Sequence, residues 1–238
     1  MTTADAVRER LAPGRLLPLG PAEDGAWLTE RAARAVLRRA ADPIAGVRLI
    51  GSRRGVPGVR LALDDPESAA VSPVPPPPGA LPHGPLRITG EVAVERAALA
   101  RAPLPELASE LRGALLTAAE ETLGLVVAGA DLRMAQLLDT AADPAESNEA
   151  APPSTVPADG PVAEAVAGVE GVAGLTGTLG RPVHRTENRV RVEFAVAAGH
   201  RPLTVVRAVR AAVAPLVAGI PVAVLVTEVR TAGGPDAS

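Results

Sequence analysis

Hydrophobic and polar positions change period several times along the second half of the chain. Val190, Val192, Phe194 and Val196 alternate with Arg191 and Glu193, and Arg189 precedes them in phase, which predicts a half-buried strand. From Leu203 the spacing changes to three and four. Leu203, Val206, Val209, Val213, Leu216 and Val217 form an apolar helical stripe, with Arg207 and Arg210 close together on the other side. Pro221–Val229 returns to strand periodicity with both faces apolar, Val222, Val224 and Val226 opposing Ala223, Leu225 and Val229, as a central strand requires. A short helical stretch from Val162 and a glycine-punctuated turn region precede these elements.

A looser version runs in the same order earlier in the chain. Thr29 is placed to cap a helix through Ala40 that Pro43 ends. Strands are predicted near Gly46–Ser52 and Val59–Leu63, joined by a Gly55–Pro57–Gly58 turn. Leu86–Val94 alternates as a strand, Pro105–Leu123 reads as a long helix and Val126–Leu138 as a closing strand. The fold class that follows is α+β: two small α-β-β-α-β units in tandem, each a three-stranded sheet with helices packed mainly on one face.

The boundaries are a lead-in over 1–26, a first unit over 27–138, a linker over 139–160, a second unit over 161–230 and a tail over 231–238. Residues 64–85, with four consecutive prolines at Pro75–Pro78, are expected to form an exposed extended insertion in the first unit. The linker, rich in Ala, Pro, Asp and Glu and without periodicity, is expected to be flexible.

Composition narrows the chemistry. Of 238 residues, 47% are hydrophobic, yet Trp27 and Phe194 are the only aromatics, so the cores must be built of Ala, Val and Leu. Such cores bury less area per residue, and units this small then gain from packing on each other or from self-association. All 24 basic residues are Arg, which fits a GC-rich bacterial genome and leaves no Schiff-base or Walker lysine. With no Cys there is no thiolate nucleophile, disulfide or cysteine-ligated metal, and a cytoplasmic location is the expectation. The charged stretch 1–10 lacks the apolar core of a secretory signal. The uncharged run Ala211–Thr227 is 17 residues long and interrupted by Pro215, Gly219 and Pro221, so no membrane span is expected. The net charge of −3 conceals an acidic stretch over 141–170 and a second unit that carries eight Arg against three acids over 171–230.

No catalytic, cofactor or metal constellation assembles. Gly168, Gly171, Gly174, Gly177 and Gly180 recur every third residue, but without a phosphate-binding fingerprint they read as a helix exit and turn. His83 falls in the Pro-rich insertion and is expected to be solvated. His184 and His200 flank the second-unit strand and would need a carboxylate such as Glu187 to hold a metal. Glu120 and Glu121 read as a solvated helix face. The best candidates for binding an anionic partner are Arg189 and Arg191 on one strand face and Arg207 and Arg210 on one helix face. A nucleic acid, an anionic membrane surface or the acidic linker would each suit them.

Three segments, Val166–Gly177 (VAGVEGVAGLTG), Arg189–Val213 (RVRVEFAVAAGHRPLTVVRAVRAAV) and Ile220–Val229 (IPVAVLVTEV), resemble the alkaline shock protein (envelope stress response) family. Pro43–Gly51, Pro85–Glu95, Leu107–Leu125 and Val126–Leu138 follow the same order as a divergent first copy. Comparable chains from high-GC bacteria carry a nucleopolyhedrovirus-type family label. This chain departs from the family in having Ala198-Gly199-His200 where a Tyr-Gly usually joins strand to helix, and in its Pro-rich insertion. The resemblance implies a non-catalytic cytoplasmic interaction or scaffold protein that self-associates and meets the membrane through a separate anchor protein. The competing expectation is a nucleic-acid-binding module built on the Arg-rich second unit.

Overall fold

The computed structural model describes residues 14–50, 58–139 and 154–230. The Gly55–Pro57 turn, most of the linker and the tail lie outside them. The architecture is α+β, with two mixed sheets. Among the described residues the larger sheet has seven strands: β1 (Leu16–Pro18), β2 (Ala26–Thr29), β7 (Thr155–Val156), β8 (Val172–Thr176), β9 (Val183–Arg185), β10 (Val190–Val196) and β11 (Val222–Val229). The smaller has four: β3 (Val47–Leu49), β4 (Val59–Leu63), β5 (Leu86–Glu95) and β6 (Val127–Leu138).

Both sheets therefore exceed the three strands expected. Each is built around a strand with a parallel partner on one side and two short antiparallel strands end to end on the other. In the smaller sheet β5 runs parallel to β6 and meets β3 and β4. In the larger, β10 runs parallel to β11 and meets β8 and β9. The short strand β8 is hidden in the sequence by Gly174, which weakens any period-two pattern, and β9 by being only three residues long. As its two apolar faces predict, β11 is interior, flanked by β10 and by β2. The β1–β2 hairpin spans what the pattern assigns to the lead-in and the first unit. It joins the larger sheet instead, because a strand apolar on both faces needs a ladder on both edges.

Helix α1 (Glu30–Ala41) starts where the Thr29 hydroxyl accepts the Ala32 N–H at 3.3 Å, the N-cap the sequence predicts. Its buried face (Ala32, Ala33, Val36, Leu37, Ala41) meets β2 and β11 of one sheet and β3 and β4 of the other. One apolar core thus runs through both halves of the chain, from Leu17 and Leu28 through Leu61 and Leu111 to Phe194 and Val226. Glu30, 4% exposed, reinforces the junction: its carboxylate accepts the Leu61 and Arg15 N–H groups and pairs with Arg34 at 2.8 Å. Helix α2 (Leu104–Thr117) covers the smaller sheet and continues as a π-helical turn, Ala118–Leu123. Helices α3 (Pro161–Ala167) and α4 (Pro202–Val213) pack on the larger. Among the described residues no helix is long and apolar enough to cross a membrane.

The Pro-rich insertion is not exposed along its length. It straps the second face of the larger sheet, where Val74 and Ala80 pack on Leu16, Trp27, Ala223 and Leu225. The strap is held by backbone bonds from Leu81 to Leu16 and from Leu16 to Gly79, and by the Trp27 indole N–H donating to the Leu81 carbonyl at 3.1 Å. Extended polyproline needs no ladder of its own, so it can lie across a sheet face and leave few buried polar groups unpaired. His83, expected to be solvated, is buried here with its ring edge-on to Trp27, centroids 5.2 Å apart.

Candidate interaction surfaces

The four candidate arginines keep the face relations the periodicity predicts, and each is engaged within the chain. Just before β10, Arg189 donates to the Pro75 and Pro76 carbonyls of the strap, at 3.3 and 2.7 Å. Arg191 is only 6% exposed; it pairs with Glu193 at 2.9 Å and donates to the Leu179 carbonyl at 3.1 Å. Glu193 is fully buried and accepts the Leu179 N–H at 2.9 Å. Burial pushes its pKa up, against the opposing pull of that N–H and of Arg191. The polar stripe of β10, expected to face solvent, is therefore an internal ion pair roofed by the 178–182 loop. On α4, Arg207 pairs with Asp24 at 3.0 Å and Arg210 donates to the Glu23 carbonyl at 2.6 Å, both tying the helix to the β1–β2 turn. The strand pair lies on the strap side of the sheet and the helix pair on the other, so the four make no common patch.

The remaining candidates resolve into structure. Gly168 ends α3 and Gly174 lies within β8. Gly171 turns the chain at φ +88°, where an added Cβ would lie 2.7 Å from Val205 and 2.8 Å from His200. A Cβ on Gly177 would lie 2.4 Å from the Gly180 carbonyl. The three-residue spacing is a helix exit, a strand and a tight turn. His184 pairs along β9 with the start of β10, whereas His200 follows its far end, so the two do not meet. Glu120 and Glu121 are exposed, with the Glu120 carbonyl accepting from Arg201. No group of three or more metal-ligating side chains occurs among the described residues.

The surface that the sequence reading missed belongs to the smaller sheet. Its outer face carries Arg87 between Asp64 and Asp131, whose carboxylates raise the guanidinium pKa. An open cleft of about 320 Å³ lies beside them, bordered by Arg60, Glu91, Asp131 and Arg133. On the helix side an apolar crevice of about 80 Å³ opens between α2 and the sheet, lined by Leu104, Leu107, Leu111, Leu132 and Met134.

Strand β6 is the 12-residue edge of this sheet. Hydrogen bonds from Asp64 to Pro85 and from Glu91 to Gly58 show that Arg87, Thr89 and Glu91 direct their backbone groups to β4. Ile88, Gly90 and Val92 then face β6, in register with Ala130, Leu132 and Met134. In a parallel ladder a residue bonds the neighbours of its register partner. The backbone N–H and C=O groups of Ala130, Leu132 and Met134 consequently point outward. Arg112 on α2, donating to the Ala130 carbonyl at 2.9 Å, agrees with that phase. No described strand pairs with this edge. Val126, Met134 and Leu137 along it are 54%, 47% and 43% exposed. The available signal was Val126–Leu138 itself, whose apolar residues do not keep to one face as a strand with a single covered side would.

Comparison with known proteins gives no family-model match, no match among curated proteins and no match among solved structures.

Proposed function

We propose that this chain is a non-catalytic interaction or scaffold protein. The observation that supports this most is the outer edge of β6, with outward-directed backbone groups at Ala130, Leu132 and Met134 beside exposed apolar side chains. Open edges bind other chains by strand addition, and natural sheets usually blunt them with charge, proline or a cover. The resemblance to the alkaline shock protein family suggests a setting in cell-envelope homeostasis, in the cytoplasm, with any membrane attachment made through a separate anchor protein. Nucleic-acid binding is the second reading. It is disfavoured because Arg189, Arg191, Arg207 and Arg210 would each have to exchange an intrachain partner for a phosphate.

Size-exclusion chromatography with light scattering on nuclease-treated protein, with and without added RNA at low and high salt, tests the two readings. A discrete assembly indifferent to RNA is expected. A species that forms only with RNA, and dissolves as salt rises, would replace the first reading with the second.

A further inference from the structure

We infer that the partner at this edge is a second copy of the same chain, its β6 antiparallel to the first about a twofold axis through Leu132. The inference rests on reading the chain as an interaction protein, and it specifies the surface and the register.

Two facts select the register. Only Ala130, Leu132 and Met134 offer outward backbone groups in the regular part of β6, because the pairing with β5 shifts by a residue beyond Met134. A symmetric antiparallel pair must therefore bond these residues to one another, and three centred registers use at least two of them. With the axis at Asp131, that residue opposes its own copy; with the axis at Arg133, Arg133 does. Both place like charges directly across the ladder, which is unfavourable. With the axis at Leu132, Leu132 bonds Leu132 and Ala130 bonds Met134. Asp131 of each copy then faces Arg133 of the other, twice, in the close non-hydrogen-bonded positions where Cα atoms are about 4.5 Å apart. The charges along the strand are thus self-complementary in one register only.

The side chains agree. Asp131 and Arg133 are both exposed on the outer face. The carboxylate of Asp131 that meets Arg87 at 3.1 Å has a second oxygen for Arg133. On the helix face the exposed Met134 falls opposite the small, buried Ala130 of the other copy, and the half-buried Leu132 falls opposite itself. The Ala130 carbonyl that accepts from Arg112 retains a lone pair for the Met134 N–H. An isologous contact of this kind closes as a dimer and uses up both edges.

The test is a charge exchange read by light scattering across a concentration series. D131R and R133D should each weaken self-association by about tenfold or more, since each turns two attractive pairs into two repulsive ones. An equimolar mixture of the two should recover assembly, because the two arginines now carried by the first variant's strand face the two aspartates carried by the second's. Because the chain has no cysteine, L132C provides an independent readout: oxidation with diamide should give a disulfide-linked dimer, the paired Cα separation of about 5.5 Å being within disulfide reach. Wild-type mass unchanged in both charge variants, together with no L132C cross-link, would overturn this register and leave the interaction reading standing. A wild-type chain monomeric at every concentration would overturn self-pairing in any register, together with the discrete assembly expected above. Assembly that requires RNA would instead remove the reading on which the inference rests.

Discussion

Glu193 and Arg191 form a charge pair in the interior of the larger sheet, beneath Leu179, on the face that also carries Trp27 and Leu225. Removing one member of such a pair leaves the other charged and dry. Glu193→Ala should therefore destabilise the protein by about 3–5 kcal/mol, whereas replacing both residues by apolar side chains of similar volume should cost far less. Urea midpoints of the single and double variants provide the comparison. His83 supplies a pH dependence. Burial holds its pKa below the ordinary 6.5, outweighing the raising influence of the Ala26 backbone and of Asp24 and Glu23. The unfolded chain consequently binds the proton first. This contribution is complete above pH 6.5 and is lost as pH falls from there through the folded-state value. Trp27, the sole tryptophan and in contact with His83, reports it: urea midpoints followed by its emission should fall less on acidification in His83→Leu than in the wild type.

At the scale of elements, the cap of α1 is also a tie between segments. The Thr29 hydroxyl accepts from Ala32 and donates to the Thr227 carbonyl at 2.9 Å, so Thr29→Ala should cost about 1–2 kcal/mol and Thr29→Ser much less, by thermal melts. Gly171→Ala should cost about 1–3 kcal/mol, because the new methyl meets Val205 and His200 at a left-handed turn. The elements legible in the sequence were those with a long, clean period: α1 from its cap to Pro43, the β5 and β10 alternations, the α4 stripe and the two-faced β11. The short strands β1, β2, β7, β8 and β9 were not, since they are too short for period two to stand out, and Pro18 in β1 and Gly174 in β8 interrupt it further; β3 and β4, equally short, were marked by the turn residues between them. The strap escaped because polyproline has no hydrophobic period; its apolar contacts with the sheet come from isolated residues such as Val74 and Ala80. For the site, the sequence placed Arg189 and Arg191 on one face correctly. It could not reveal that this face is covered, because the strap that meets Arg189 lies about 110 positions away in the chain. The self-complementary Asp131–Arg133 pair was visible as residues, but its meaning depends on the phase of the β5–β6 ladder.

For the whole molecule, the shared core and the pairing of β2 with β11 make the two halves one unit of stability. Unfolding should be a single transition, with calorimetric and van't Hoff enthalpies equal within error. A fragment covering 161–230 should not fold alone, since it would leave the β11 edge and the Ala223 and Leu225 face bare; its circular dichroism should lack native strand signal.

The same β2–β11 ladder bears on when the protein can fold. A ribosome delivers β11 about 200 residues after β2, so the hairpin must wait for all of the intervening chain before its ladder can form. During that interval Trp27 and its neighbours have only the strap for cover, and the growing chain presents a hydrophobic strand edge to whatever surrounds it. Such distant contacts slow folding and lengthen exposure to aggregation. Nascent chains halted before Val222 should therefore engage holding chaperones that full-length chains release.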